Sequence, residues 1–461
     1  MKMYRLPHEK LHLIRYFSCE GTEKRRRKTM GSFECFENAV LGEKYYKTVH
    51  PSGFTILIYP KKLSTSYVML STRYGSLEKT FRAGNDEFCT VPDGVAHFLE
   101  HKLFEEEDGS DAFAKFAPLG ASANAFTSHE MTSYLFSTTD CLTESLAVLL
   151  DFVTHPYFTD ENVRKEQGII AQEIGMCQDD PQNRLYYSLL EGLYREHNIR
   201  IDIAGTVKSI SEITPEILYR CYRTFYQLSN MVLAVCGDIA PETVLEIADR
   251  VLPQKAENRE IECVYPQEDS RIERAYTELH MAVATPMLAL GVKDLTQFKT
   301  PGDRMRYGVL AEMLGKCYFS RSAEFYNELY DAGLFAKTIN YSFDMLNSCS
   351  YLMITAESEK PNELFERTKN LLQNISGNLP SEEDFLRIKR VMYSNHIRSF
   401  DSTENIAFAL TESFLQGGDV FEIGDIISSV TYEEFTRFAC AFFDGKEFAL
   451  SVIYPSTKEK S

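Results

Sequence analysis

No run of about 18 apolar residues interrupts this 461-residue chain, which excludes a membrane-spanning helix. The first 30 residues, MKMYRLPHEKLHLIRYFSCEGTEKRRRKTM, scatter their apolar positions too widely for a signal-peptide core. The cytoplasm is therefore the expected compartment. No C-x-x-C pair occurs, and the 11 cysteines are an odd number set singly along the chain. That pattern suits reduced thiols rather than a disulfide framework, and most, such as Cys236 in MVLAVCGDI, read as core filler. Basic charge is scarce: 49 Lys and Arg against 67 Asp and Glu leave a formal charge of −18. Phosphate backbones call for a basic surface, so nucleic acid is disfavoured as a general partner. The one basic cluster, KRRRK at 24–28, lies near the terminus and reads as a solvated tail.

What the chain does have is the composition of a globular domain, 44% hydrophobic and 25% charged, at a length that allows about two to four domains. KTVHPSGFTILIYPKK (47–62) and SYVMLSTRYGS (66–76) predict strands rich in β-branched and aromatic residues. Helical patterns follow at 94–105, 110–118, 142–154, 160–178 and 183–195, then a strand at 230–239 and a helix at 241–251. The polar segment 253–270 predicts a linker. Beyond it, strands near 275–284, 350–358 and 447–455 alternate with helices at 303–315, 361–375 and 382–398.

The expected organisation is a weakly structured extension over 1–44, in which Met30 offers an alternative start, then an α+β domain over 45–252. The linker and a second α+β domain over 271–461 follow. The halves look alike. GVAHFLEHKLF (94–104) lays over GVLAEMLGKCY (308–318), and TDENVRKEQGIIAQEI (159–174) over SEEDFLRIKRVMYSNHI (381–397). This repeat implies two homologous α+β domains, each an antiparallel or mixed sheet with helices packed on one face.

The chemistry gathers in HFLEH, His97 to His101. On a helix, residues four apart lie one turn apart on one face, so both imidazoles can reach one ion. Val95, Phe98, Leu99 and Leu103 make the rest of this helix apolar, so its polar face must meet a partner or a cavity. H-x-x-E-H arises by chance in about one or two chains per hundred of this composition, so the motif alone decides nothing. A catalytic zinc site needs a third protein ligand. The helix at 160–178 supplies candidates: Val163, Glu166, Ile169, Ile170, Glu173, Ile174 and Cys177 form one stripe of about 140°. Two glutamates on an apolar face are costly unless each meets a cation, a metal or a strong donor. The other histidines, His129 and His197 among them, have no such company and read as surface or core residues.

H-x-x-E-H is the inverted zinc motif of the inverzincins, and the chain resembles the pitrilysin/insulinase peptidases, which include the mitochondrial processing peptidases. In that family the third ligand is a glutamate matched here by Glu173, 72 residues after His101, and a further glutamate matches Glu166. GASANAFTSHEMTSYLF (120–136) resembles the family's G-x-x-x-N-A-x-T…T-x-Y segment, an edge strand that pairs with substrate, and HNIRIDIAGT (197–206) also resembles a family segment. Among bacterial half-size members, the chain resembles those associated with aminopentanol modification of elongation factor P.

The resemblance implies half of a clam-shell, one Zn2+ per chain, and a peptide as substrate. His97, His101 and Glu173 would hold the metal and Glu100 would serve as general base. Glu166 would orient a ligand or the water, and Asn124 and Ala125 would offer backbone groups to an extended peptide. At the repeated positions the second domain has Ala311, Leu314 and Gly315, then Ile388 and Asn395, so it holds no second zinc. LYDAGLFAK (329–337) has Tyr330 where the family places an arginine, and lacks the tyrosine that follows. A heterodimer with a homologous metal-free subunit is the expected assembly, with a homodimer as the alternative. The rival reading is a scaffold subunit with a structural or vestigial zinc site.

Overall fold

The computed structural model describes residues 33–456, together with the backbone of two short strands at Leu11–Arg15 and Lys28–Met30. The basic cluster at 24–28 and Met30 therefore lie outside the residues whose side chains are described. Among the described residues no helix is long and apolar enough to cross a membrane.

Each half is built on a mixed sheet, and the two sheets share one topology. In the first half the order inward from one edge is Ser122–Thr127, Thr132–Thr138, Ser66–Thr72, Met231–Gly237 and Thr55–Pro60. In the second it is Ile339–Met345, Ser350–Glu357, Met287–Asp294, Ala449–Pro455 and Tyr276–Met281. In both, the last two strands are parallel and the others antiparallel. This matching order is the structural form of the weak sequence repeat.

Two stretches read as peripheral in the sequence are built into sheets. Phe33–Asn38 pairs with Glu43–Val49, which pairs in turn with Thr55–Pro60, so the sheet begins inside the expected extension. Phe33 and Cys35 face the interior while Glu34 faces out, the two-residue period of a half-buried strand. Within the expected linker, Ile261–Pro266 is a strand antiparallel to Thr80–Ala83, in a smaller sheet. Its Glu262 is buried and accepts two bonds from Arg82 across the ladder, both at 2.9 Å.

Helices cover one face of each sheet with elements of the same half, and the other face with a helix of the opposite half. Along Thr55–Pro60, Ile56 and Ile58 join the main core, whereas Leu57 and Tyr59 point the other way, onto Phe400, Ile406, Leu410 and Phe421. Those residues come from the helix Thr403–Leu415 and its flanks. Reciprocally, the helix Pro181–Leu193 packs on the second sheet through Leu189 and Leu193, with Ser188 and Ser451 hydroxyls 2.5 Å apart. Each fully buried Leu, Ile or Phe at these faces contributes about 1.5–3 kcal/mol. A strand covered on both faces is apolar throughout, as MVLAVCG (231–237) is.

Candidate metal centre

Two helices and one strand edge make the site. The histidine helix, Val95–Lys102, buries Val95, Phe98 and Leu99 beneath it, which turns His97 and His101 outward together. Their rings stand 4.5 Å apart, centroid to centroid. The glutamate helix, Asp160–Asp179, starts at Thr159, whose hydroxyl accepts from Asn162 N while the Asn162 side chain accepts from Thr159 N. Such reciprocal capping fixes where the helix begins and hence which way its glutamates point. Its end is set by Asp180, which caps the next helix at Gln182 N, with Pro181 at the first helical position.

These helices bring His97, His101 and Glu173 together. His97 Nε2 lies 3.6 Å from Glu173 Oε1, and His101 Nε2 lies 3.6 Å from Glu173 Oε2. All three residues offer atoms within 4.8 Å of one another. A separation of 3.6 Å is too long for a good hydrogen bond. Two ligands bound at about 2.0–2.2 Å to one tetrahedral zinc stand about 3.3–3.6 Å apart. The donor set thus fits a zinc ion better than it fits itself.

Glu166 is set back from this trio. Its Oε1 lies 3.1 Å from His101 Nδ1, and its Oε2 lies 3.9 Å from the Lys102 ammonium. An ionised carboxylate only accepts, so His101 carries its proton on Nδ1 and turns the Nε2 lone pair towards Glu173. His97 Nδ1, by contrast, is buried without a hydrogen-bond partner among the described residues. The sequence stripe placed both glutamates inside; only Glu166 is buried. Glu173 stands on the open flank beside Ile169, which is 47% exposed.

Glu100 points to the sheet edge. Its Oε2 accepts from the Thr127 hydroxyl at 2.6 Å, and Thr127 ends the outermost strand, Ser122–Thr127. Asn124 and Ala125 lie on that strand, with Asn124 Oδ1 accepting from Ala125 N at 2.9 Å. Burial raises the Glu100 carboxyl, opposed by the Thr127 bond. Burial and the neighbouring His101 push His97 down to about 4. Burial acts to lower His101 too, but the Glu166 bond and nearby carboxylates leave it raised. Burial acts against Glu166, yet its bond with His101 keeps it below the usual carboxylate range.

Comparison with known proteins decides the family. Residues 83–207 match the insulinase model of peptidase family M16, and residues 212–392 match the peptidase M16 inactive domain. Over 398 residues, 86% of this chain and 92% of the other, the chain is 36% identical to a Bacillus subtilis protein named zinc protease YmfH. The chain belongs to the insulinase family of M16 peptidases. A crystal structure of an M16-like peptidase from Alicyclobacillus acidocaldarius superposes with a TM-score of 0.86 at 32% identity, covering 91% of this chain and all of that one. A Helicobacter pylori protease shares the fold at 19% identity, with a TM-score of 0.75 over 90% of this chain and all of that one.

In this M16 chain the second domain's counterpart of the histidine helix, Pro301–Phe319, has its equivalent ground filled by an aromatic ring. A Cβ on Gly315, which the sequence repeat aligns with His101, would fall 2.0 Å from the Tyr341 ring, and the Tyr341 hydroxyl donates to Ala311 O at 2.9 Å. The same repeat aligns Ala311 with His97. Two contributors to the first site carried no assigned role in the sequence. Thr127 lay unremarked in the N-A-x-T segment. Lys102 is fully buried between Glu105 and Glu166, and its only signal was a lysine among apolar helix positions. His197 is buried with Nε2 3.1 Å from the Ser348 hydroxyl, His129 is half-buried with Nε2 3.1 Å from the Tyr186 hydroxyl, and neither belongs to the trio.

Proposed function

We propose that this chain is a zinc-dependent endopeptidase that hydrolyses flexible peptides or unfolded segments in an enclosed chamber. The observation that carries this reading is the convergence of His97, His101 and Glu173, with Glu100 one residue before the second histidine and tied to the outermost strand. Zinc held by that trio supplies a Lewis acid for a carbonyl oxygen and lowers the pKa of a water towards neutrality.

The chain's own residues do the rest. Glu100, its affinity for protons raised by burial, takes the proton from the attacking water and returns it to the leaving amine. With Oε2 held by Thr127, Oε1 is the oxygen left to carry that proton. Glu166 keeps the His101 ring in one tautomer and one orientation. Asn124 and Ala125 line a strand with no further neighbour in the sheet among the described residues, so an extended peptide can add there by main-chain hydrogen bonds. A folded protein cannot offer a free strand, which restricts the substrate to flexible segments. A non-identical, metal-free subunit completes the chamber and supplies the arginine and tyrosine missing near Tyr330.

The test is cleavage of a mixed pool of unstructured peptides by the purified chain, with Glu100→Gln as control. Cleavage that vanishes in the control supports the reading, and adding a homologous metal-free subunit should raise it. Stoichiometric zinc without cleavage under any pairing would replace it with a scaffold carrying a structural zinc.

A further inference from the structure

The outermost strand is joined to its neighbour Thr132–Thr138 by the turn 128–131, and this turn is gripped from two sides. On its own side, Ser128 O and His129 O accept from Ser76 N and Leu77 N at 3.1 and 3.0 Å. The approach is so close that a Cβ on Gly75 would meet the His129 carbonyl carbon at 2.4 Å. On the other side stands a turn of the second domain, 346–349, which joins Ile339–Met345 to Ser350–Glu357. Glu130 Oε1 accepts from Asn347 N at 2.5 Å. Asn347 Oδ1 accepts in turn from Arg304, whose other nitrogen donates to Met345 O at 2.6 Å. A second link runs from His129 Nε2 to the Tyr186 hydroxyl at 3.1 Å, and on to the Tyr351 hydroxyl at 2.6 Å.

We propose that Glu130, held by Asn347 and Arg304, is a positioning residue through which the metal-free domain fixes the peptide-docking strand and, through Thr127, the Glu100 carboxylate. The proposal rests on the peptidase reading for its kinetic consequence, though not for its structural one. Thr127 lies three residues before Glu130, and its hydroxyl is the direct bond to Glu100. A rigid turn therefore sets both the strand's register and the base's orientation. Displacement of a reacting group by about 1 Å can cost about 100-fold in rate, so a loosened turn is kinetically visible. What the contact needs from residue 130 is first an acceptor oxygen for Asn347 N, and its negative charge also faces the buried Arg304 guanidinium.

The experiment compares full-length wild type with Glu130→Ala and Glu130→Gln, loaded with zinc. Hydrogen exchange reads the amides of 122–127, and steady-state kinetics use the peptide pool. Glu130→Ala should accelerate exchange across 122–127 while leaving Ser66–Thr72 protected, and should lower kcat about tenfold or more with zinc content unchanged. Glu130→Gln, which keeps the acceptor for Asn347 N but not the charge facing Arg304, should restore most of both. Asn347→Ala, which frees Arg304 without touching the Glu130 acceptor, should give an intermediate effect and serves if the first variant fails to fold. Unchanged exchange at 122–127 in every variant would overturn the proposal, as would a lowered Tm with kcat per zinc-bearing molecule intact. Faster exchange in a protein whose wild type cleaves nothing, alone or with any homologous metal-free subunit, would uphold the positioning contact and sink the peptidase reading instead.

Discussion

His101 Nδ1 lies 3.1 Å from Glu166 Oε1, and this one bond settles which face of the imidazole is free for a metal. Replacing Glu166 by Gln leaves a group that can rotate to present either a donor or an acceptor, so the tautomer is no longer enforced. Zinc affinity should fall about 10–100-fold. Glu173→Gln should weaken zinc more, because it alters a ligand rather than the group that orients one. Chelator competition on both variants checks this, and equal retention would remove both residues from the proposed centre.

Glu100→Gln should keep zinc and fold while kcat drops by about 10²–10⁴-fold, the usual contribution of a general base. Thr127→Val should follow in the same direction with a smaller loss, since the carboxylate survives but turns freely. Zinc analysis alongside single-turnover rates separates these effects. Loss of metal in Glu100→Gln would contradict the assignment of Glu100 as base.

His197 offers a pH prediction away from the centre. Its Nδ1 accepts from Ile199 N at 3.1 Å and its Nε2 lies 3.1 Å from the Ser348 hydroxyl, an arrangement only the neutral ring can make. Burial lowers it from 6.5 to about 4. Between those values the unfolded chain takes up the proton and the folded chain does not. The stability given by neutral His197 is therefore complete above about 6.5 and is lost as pH falls towards about 4. His197→Gln should flatten the stability slope over that window by about 1.4 kcal/mol per pH unit, one proton's worth. Urea unfolding at a series of pH values checks it; parallel slopes in both proteins would refute it.

Gly315→Ala should destabilise the chain by about 1–3 kcal/mol or more, because the new methyl meets a ring that is itself hydrogen-bonded to Ala311 O. Gly315→Ala with Tyr341→Ala should recover part of the loss by removing the clash. Thermal unfolding of the single and double variants measures the coupling. A neutral Gly315→Ala would mean that Tyr341 swings aside freely.

The histidine helix and Glu100 were legible because a 3.6-residue period and three polar residues in one sector leave little choice. Glu173 is legible as a member of a stripe, but not as the half-buried one: a helical wheel knows spacing, not which flank borders an opening. Ile169 was misplaced inside for the same reason. Strand Ile261–Pro266 passed for linker because Glu262 breaks its apolar pattern, and its partner Arg82 lies 180 residues away. The bond from Thr127 to Glu100 spans 27 residues and two kinds of element, and no local signal carries it. Helix Thr403–Leu415 went unread because what buries it is the first sheet, far back in the chain.

That last helix and its counterpart Pro181–Leu193 bear on how a duplicated chain can be divided. Cut within 253–260, the molecule would stay whole, since the lent helices still lie on each other's sheets. Produced separately, the first half would bare Tyr45, Leu57, Tyr59 and Tyr67, and the second would lose the cover of Leu189 and Leu193. The two fragments would be sticky apart and complementary together. The two sheets repeat one strand order, but with one helix crossing each way neither covers its apolar face with its own half alone.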